Sequence, residues 1–221
     1  MKNIPRIFIE KDLNVGDNIE VSKDISHYLT HVMRRKDCLI FNKGKEFTAN
    51  LSDDNKKIIV IKETNHQDPS NNITLYFSPI KRLDDLLNMA TQMGVKTLQP
   101  VITERTTANH INWERMKKII CEASEQSNRN SIPELLAPIN FSKIDFADIA
   151  FADERAAYGK NIKTLDKKLN KVLIGPEGGF SDKEFETLDN KGATSISLGK
   201  TILRAELAAA IAISRLINYE N

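Results

Sequence analysis

From Ile73 to the end of the chain, short apolar runs alternate with longer amphipathic stretches. That rhythm limits the fold more than any other feature. "ITLYFS" reads as a strand. "KRLDDLLNMATQMG" follows, with Leu83, Leu86, Leu87, Ala90 and Met93 at helical spacing and Gly94 placed to stop it. "VKTLQPVI" is a second strand. "NWERMKKIICEASEQSN" predicts a helix capped by Asn112, with Trp113, Met116, Ile120 and Ala123 turned inward. "IAFAD" and "KVLIG" are strands. "SDKEFETLDNKG" opens on a capping box, Ser181 with Glu184, and closes at Gly192. "TSISLG" is a last strand and "ILRAELAAAIAISRLIN" a last helix. Strands separated by helices predict an α/β fold, a mostly parallel sheet covered on both faces.

Residues 1–62 keep a different rhythm. "RIFIE", "DNIEV", "CLIF", "EFTANL" and "KIIVIKE" are short runs divided by turn signals such as Val15-Gly16-Asp17 and Asn42-Lys43-Gly44. They predict a small β domain. One helix interrupts it, "SHYLTHVMRRK", with Tyr28, Leu29, Val32 and Met33 on one face. The polar stretch "ETNHQDPSNN" at 63–72 reads as a linker, which divides the chain into domains at 1–70 and 73–221.

A length of 221 residues, 40% hydrophobic and 28% charged, is ordinary for a globular protein, and a net charge of +2 neither demands nor excludes nucleic acid. Cys38 and Cys121 offer neither a disulfide framework nor metal-ligand spacing, so no metal is expected. No stretch approaches a membrane span, and "MKNIPRIFIE" is too charged for a signal peptide; the expectation is a cytoplasmic protein without a membrane partner. Locally, Arg34, Arg35 and Lys36 end the helix of the small domain, and Lys43 and Lys45 follow. Cations there suit a helix C-terminus; they equally suit phosphate contacts.

Three of the nine glycines stand in "IGPEGGFSDKEF", directly after Val172-Leu173-Ile174. In parallel sheets ligands bind beyond the C-terminal ends of strands, where such loops lie. The loop is neither GxxxxGK[ST] nor GxGxxG, so triphosphate and dinucleotide readings lose their support. A tight connection with no ligand remains open. The next loop, "SLGKTILRAELAAA", carries another Leu-Gly corner, and Ile202 and Leu203 precede the helix. Two neighbouring glycine-bearing loops suit an amphipathic ligand, such as an adenosine derivative, held by main-chain groups.

These two stretches resemble the signature loops of the ribosomal RNA small subunit methyltransferase E family. "PRIF", "HYLTHVMR", "KRLDDLLNMATQMGV" with "PVITERT", and "EQSNRNSIPEL" resemble it in the same order, over nearly the whole chain. The chain departs from the family pattern at Asn128, where Gly is usual, at Thr201, where Arg is usual, and at Ala205-Glu206-Leu207, where Thr-Glu-Thr is usual. The resemblance implies S-adenosylmethionine-dependent methylation of uridine N3 in 16S rRNA, within the knotted SPOUT class. It implies a PUA-like β-barrel at 1–70 that helps grip RNA, a trefoil-knot α/β domain at 73–221, and a homodimer. Cofactor contacts would come from Ile174, Gly175, Pro176, Gly178 and Gly179 in one loop, and from Leu198, Gly199, Ile202, Leu203 and Ala205 in the other. RNA contacts would come from Arg6, Arg34, Arg35 and Arg129.

Methylating N3 requires loss of its proton while negative charge spreads to the flanking carbonyl oxygens. A site for this needs positioning, a cation or donors near those oxygens, and in some designs a base. Arg204 and Glu177 are the catalytic candidates in these loops, with Glu206 the other carboxylate there; the resemblance adds Arg105, after "LQPVIT", and Arg129, in "EQSNRN". His110, the one histidine of this domain, reads as structural or solvated. Rival readings are a related methylase acting on tRNA ribose, an inactive RNA-binding module, and a nucleotide-dependent oxidoreductase, for which the glycine fingerprints are missing.

Overall fold

The computed structural model describes residues 4–69, 71–107, 112–162, 165 and 167–218. They form two compact units, Met1–Pro69 with Cys121–Ile132, and Ser70–Ile120 with Pro133–Asn221. The division differs from a single cut near residue 70, because Cys121–Ile132 groups with the N-terminal segment. Polar contacts hold it there: Gly44 N–H donates to Asn130 O at 2.9 Å, Asn130 N–H to Asp68 Oδ1 at 2.6 Å, and Phe8 N–H to Glu125 Oε1 at 2.9 Å.

In the first unit, β1 (Arg6–Phe8), β2 (Asn18–Glu20), β3 (Asp37–Asn42), β4 (Lys45–Leu51) and β5 (Lys57–Glu63) make one sheet in the order β1-β3-β4-β5-β2. β1 and β3 are parallel; the other neighbours are antiparallel, with a bulge at Thr48/Ala49. Inward residues such as Ile40, Phe47, Ala49, Ile58 and Val60 make its core. The expected helix is only α1 (Lys23–His27), capped by Ser22 Oγ, and then a π turn over Tyr28–Val32. Met33 N–H reaches back five residues to Tyr28 O at 2.9 Å, which shifts the helical phase. Only Leu29 of the expected face is therefore buried; Tyr28 and Val32 are exposed.

In the second unit every strand pairing is parallel. The strands are β6 (Thr74–Phe77), β7 (Thr97–Ile102), β8 (Glu134–Leu135), β9 (Ile139–Asn140), β10 (Ile149–Ala152), β11 (Lys171–Ile174) and β12 (Thr194–Ile196). Their order is β12-β10-β11-β6-β7-β8, with β9 also on β7. β6, β10 and β11 bury Leu75, Phe77, Ile149, Phe151, Val172 and Leu173. Burial on both faces explains why these strands read as continuous apolar runs. The helices are α2 (Leu83–Gln92), α3 (Trp113–Gln126), whose residues from Cys121 on group with the first unit, α4 (Asp182–Asn190) and α5 (Ala205–Asn218). α5 packs against α2, β11 and β10, and α4 against β12. Asn112 Oδ1 accepts the Arg115 N–H, and the Ser181–Glu184 capping box is fully made. α5 starts at Ala205 rather than near Ile202, so 202–204 remain loop. The chain runs outward from β6 through β7 to β8, then returns on the other side through β10, β11 and β12. The order thus reverses between β6 and β11, the kind of switch point where parallel sheets open a crevice.

Candidate active site

A cavity of about 830 Å³ lies in the second unit, within the ~300–1,000 Å³ typical of small-molecule sites. Its walls come from segments that follow the C-terminal ends of five parallel strands. Lys81 and Arg82 follow β6, and Arg105 follows β7. Asp153–Tyr158 follow β10, Gly175–Phe180 follow β11, and Leu198 to Arg204 follow β12. Ile174, Gly175, Pro176, Glu177, Gly178 and Gly179 line it together with Leu198, Gly199, Ile202, Leu203, Arg204 and Ala205. Both glycine loops and Arg105 therefore face one space.

Neighbouring elements hold the β11 loop in shape. Gly179 N–H donates to Pro176 O at 2.9 Å, closing a turn. Arg105 Nη1 donates to Gly178 O at 2.9 Å and to Phe180 O at 3.2 Å. Glu184 is buried, and its carboxylate accepts from Glu104 N at 2.9 Å and Ser181 N at 2.9 Å. It thereby ties the segment after β7 to the start of α4. The glycines have separate reasons. A Cβ on Gly175 would lie 3.0 Å from Phe180 Cε2. One on Gly178 would make ordinary contact, at 3.6 Å, with Arg105 Cβ. Gly179 has φ +68°, and a Cβ there would overlap Glu154 Oε1. A protein carboxylate, as well as any ligand, demands glycine at this position.

Charge is distributed around the cavity. Arg204, exposed, accepts the Ala208 N–H on its carbonyl and so occupies the N-cap of α5. Glu206 is buried, 3.9 Å from Arg82 Nε. Glu177 is exposed. Glu154 is half-buried, and desolvation raises its pKa above the carboxylate norm, opposed by backbone hydrogen bonding at its own residue and at Phe180. Asp153 is buried at the end of β10 and accepts from Arg155 Nη2 at 2.7 Å. Arg155 also donates to Asp189 and lies 3.9 Å over the Phe185 ring. Hydrogen bonds to Asp153, then Asp189, raise the Arg155 pKa and depress that of Asp189. Ile202 and Tyr158 are 57% and 78% exposed, apolar surface on the cavity wall that a ligand would cover.

Lys81, Arg82, Asp153, Glu154, Arg155 and Tyr158 were not singled out from sequence. The signal was available: "FADERAAY" places charges immediately past a parallel strand. Two arginines move the other way. Arg6 was expected to contact RNA, yet its side chain is 8% exposed and is ion-paired with Glu46, which is 5% exposed. Its Nη2 donates to Arg129 O at 2.7 Å and Asn130 Oδ1 at 3.0 Å, and desolvation lowers its pKa. Arg129 is 7% exposed, with Nη2 3.3 Å from Ser131 Oγ. Both side chains are thus largely buried against partners within the first unit, and Arg129 does not line the cavity. Arg34 is exposed and Arg35 half-buried, with Nε donating to Asp37 Oδ1 at 2.8 Å. His110 lies outside the described residues. Asn128, in place of the usual glycine, has φ +61°, a conformation that asparagine tolerates better than most residues.

The fold and this switch-point cavity define an RNA methyltransferase domain, whose family model matches residues 66–217. A ribosomal RNA small subunit methyltransferase E from Rickettsia conorii is 33% identical over 228 residues, covering 95% of this chain and 93% of that protein. The chain belongs to the ribosomal RNA small subunit methyltransferase E family. Among solved structures, the Neisseria gonorrhoeae ribosomal RNA small subunit methyltransferase E bound to S-adenosylmethionine superposes with a TM-score of 0.84. It has 27% identity and 98% of each chain is covered. A putative methyltransferase of Legionella pneumophila in complex with S-adenosylmethionine gives the same TM-score, identity and coverage.

Proposed function

We propose that this chain transfers the methyl group of S-adenosylmethionine to N3 of a uridine in 16S rRNA of the small ribosomal subunit. The observation that carries the reading is the cavity at the β6/β11 switch point. It is lined by both glycine loops, in a chain that matches S-adenosylmethionine-bound relatives from end to end. The residues present fit that cofactor. Main chain at 174–179 and the apolar side chains Leu198, Ile202 and Leu203 suit an adenosine; charged groups at the mouth suit an amino-acid end. Bound S-adenosylmethionine would supply an electrophilic methyl on sulfur. Arg204 would donate to a uracil oxygen as negative charge develops, staying charged at any working pH. Arg105 would hold the glycine loop in its binding shape, and Glu177 would orient cofactor or nucleotide.

The finer architecture belongs to the same reading. The five-stranded sheet of residues 1–70 serves as a PUA-like barrel, and residues 73–221 as a SPOUT trefoil-knot domain. The return from edge strand β12 to a helix packed on β10, β11 and α2 supports a knotted path. RNA would be gripped through exposed cations of the small unit, Arg34 among them, with Arg35. Exposed Leu207, Ile102 and Met89 on the second unit support a homodimer. Such an enzyme works in the cytoplasm, where its ribosomal substrate is.

The test is incubation of the purified protein with methyl-labelled S-adenosylmethionine and either small subunits or deproteinised rRNA. The methylated nucleotide is then mapped by mass spectrometry. The expected product is N3-methyluridine in 16S rRNA. Label on tRNA ribose, or no turnover on either substrate, overturns the reading.

A further inference from the structure

The Glu154 carboxylate stands at the edge of the glycine loop, and none of the chemistry above uses it. It begins the turn after β10, and β10 pairs in parallel with β11, the strand that feeds the glycine loop. Neighbouring strands are ~4.8 Å apart, so a side chain leaving the end of β10 lies one strand-width from the loop that follows β11. A Cβ built on Gly179 would overlap its Oε1, which places the carboxylate close against that loop's backbone. It also lines the cavity.

From this placement we infer that Glu154 accepts hydrogen bonds from the ribose hydroxyls of the bound cofactor and fixes the adenosine in the cavity. The inference rests on the cofactor reading above. Three observations point to a diol. First, dinucleotide-binding sheets use the same arrangement: a glycine loop after one parallel strand and an acid past a neighbouring strand, the acid taking a ribose hydroxyl. Second, the carboxylate can take more than one donor. A carboxylate has about four acceptor positions, and Glu154 lines the cavity, where a ligand's hydroxyls can reach it. Third, the cations nearest in sequence are already engaged. Arg155 bonds Asp153 and Asp189, and Lys160 lies within 3.5 Å of both. A neutral donor pair from a ligand therefore suits this carboxylate better than a further cation.

This also gives Gly179 a second purpose. A side chain there would push the carboxylate off the loop, so the glycine that opens the main chain to a ligand also seats the acid that would grip it.

The test is calorimetric titration of the full chain and its Glu154→Gln variant with S-adenosylhomocysteine and with its 2′-deoxy and 3′-deoxy derivatives. The parent should bind the ribo form roughly ten- to a hundredfold more tightly than at least one deoxy form, as expected for a hydrogen bond to a charged group. Glu154→Gln should lose most of that preference while keeping its affinity for the deoxy form. The parent's ranking of the three ligands stands even if the variant folds poorly. Equal binding of all three ligands by the parent overturns the inference and leaves the cofactor reading intact. So does full affinity in Glu154→Gln, including the case where methyl transfer alone is lost, which would make the carboxyl a base acting on uracil. A parent that binds no S-adenosylhomocysteine overturns the cofactor reading and this inference with it.

Discussion

Replacing Arg6 by methionine separates a buried structural cation from an RNA contact. The Arg6 side chain is 8% exposed and that of Glu46 5%, so removing the guanidinium strands a carboxylate in the interior. Leaving one partner of a buried pair alone costs about 3–5 kcal/mol. The lost donors to Arg129 O and Asn130 Oδ1, and the lost stacking on Phe41 at 4.9 Å, belong to the same side chain and are largely contained in that figure. Against a domain stability of ~5–15 kcal/mol, the unit survives at the lower end. Native-state hydrogen exchange of the β3 and β4 amides should accelerate by about two to four powers of ten, at ~1.4 kcal/mol per tenfold. Arg6→Met combined with Glu46→Leu should recover at least half of the loss, because no lone charge remains, although Thr64 Oγ1 loses its acceptor on Glu46. A cost below about 1 kcal/mol for Arg6→Met would refute the argument. So would unchanged exchange accompanied by weaker rRNA binding, which would return Arg6 to the RNA surface.

Two further outcomes follow from the cavity. Gly179→Ala should destabilise the protein by about 1–2 kcal/mol from the left-handed backbone alone and weaken S-adenosylmethionine binding, because its Cβ displaces Glu154; adding Glu154→Ala should restore stability toward the strain cost, and a Gly179→Ala protein with parental melting temperature and affinity would contradict this. Arg204→Ala should keep the fold and cofactor affinity, yet slow single-turnover methylation of small subunits by about a hundredfold, the scale of one transition-state donor; a loss confined to cofactor binding would reassign Arg204 to the N-cap of α5 alone.

Much of the second unit was readable because its signals are local. Parallel strands buried on both faces must be apolar throughout, and helices must show a stripe, so periodicity located β6, β7, β10, β11, β12 and all four helices. Asn112 and the Ser181–Glu184 box were readable because capping is settled within one turn. β8 and β9, of two residues each, carry no period and went unseen. The π turn at Tyr28–Val32 went unseen because one wider hydrogen bond re-phases a helix without altering composition, which put Tyr28 and Val32 on the wrong face.

The sequence by itself determined the parallel sheet and the two glycine loops and, by resemblance, the methyltransferase family. Only the tertiary structure decided which charges are free to act. Arg6 and Arg204 are both arginines beside apolar residues, and the neighbours of neither say whether its guanidinium is buried. Arg6 is neutralised by Glu46 from another strand and covered by Asn130, 124 residues away, so it belongs to a core. Arg204 sits exposed where a loop turns into α5 at the cavity wall, so its guanidinium is left accessible. Glu154 shows the same in reverse: one carboxylate among 30 acidic side chains in the sequence, it became notable only when β10 and β11 were paired and its oxygen was found over Gly179. Burial and pairing are set by residues distant in the chain. A charge's availability is therefore a property of the fold, while the period of its neighbours is a property of the sequence.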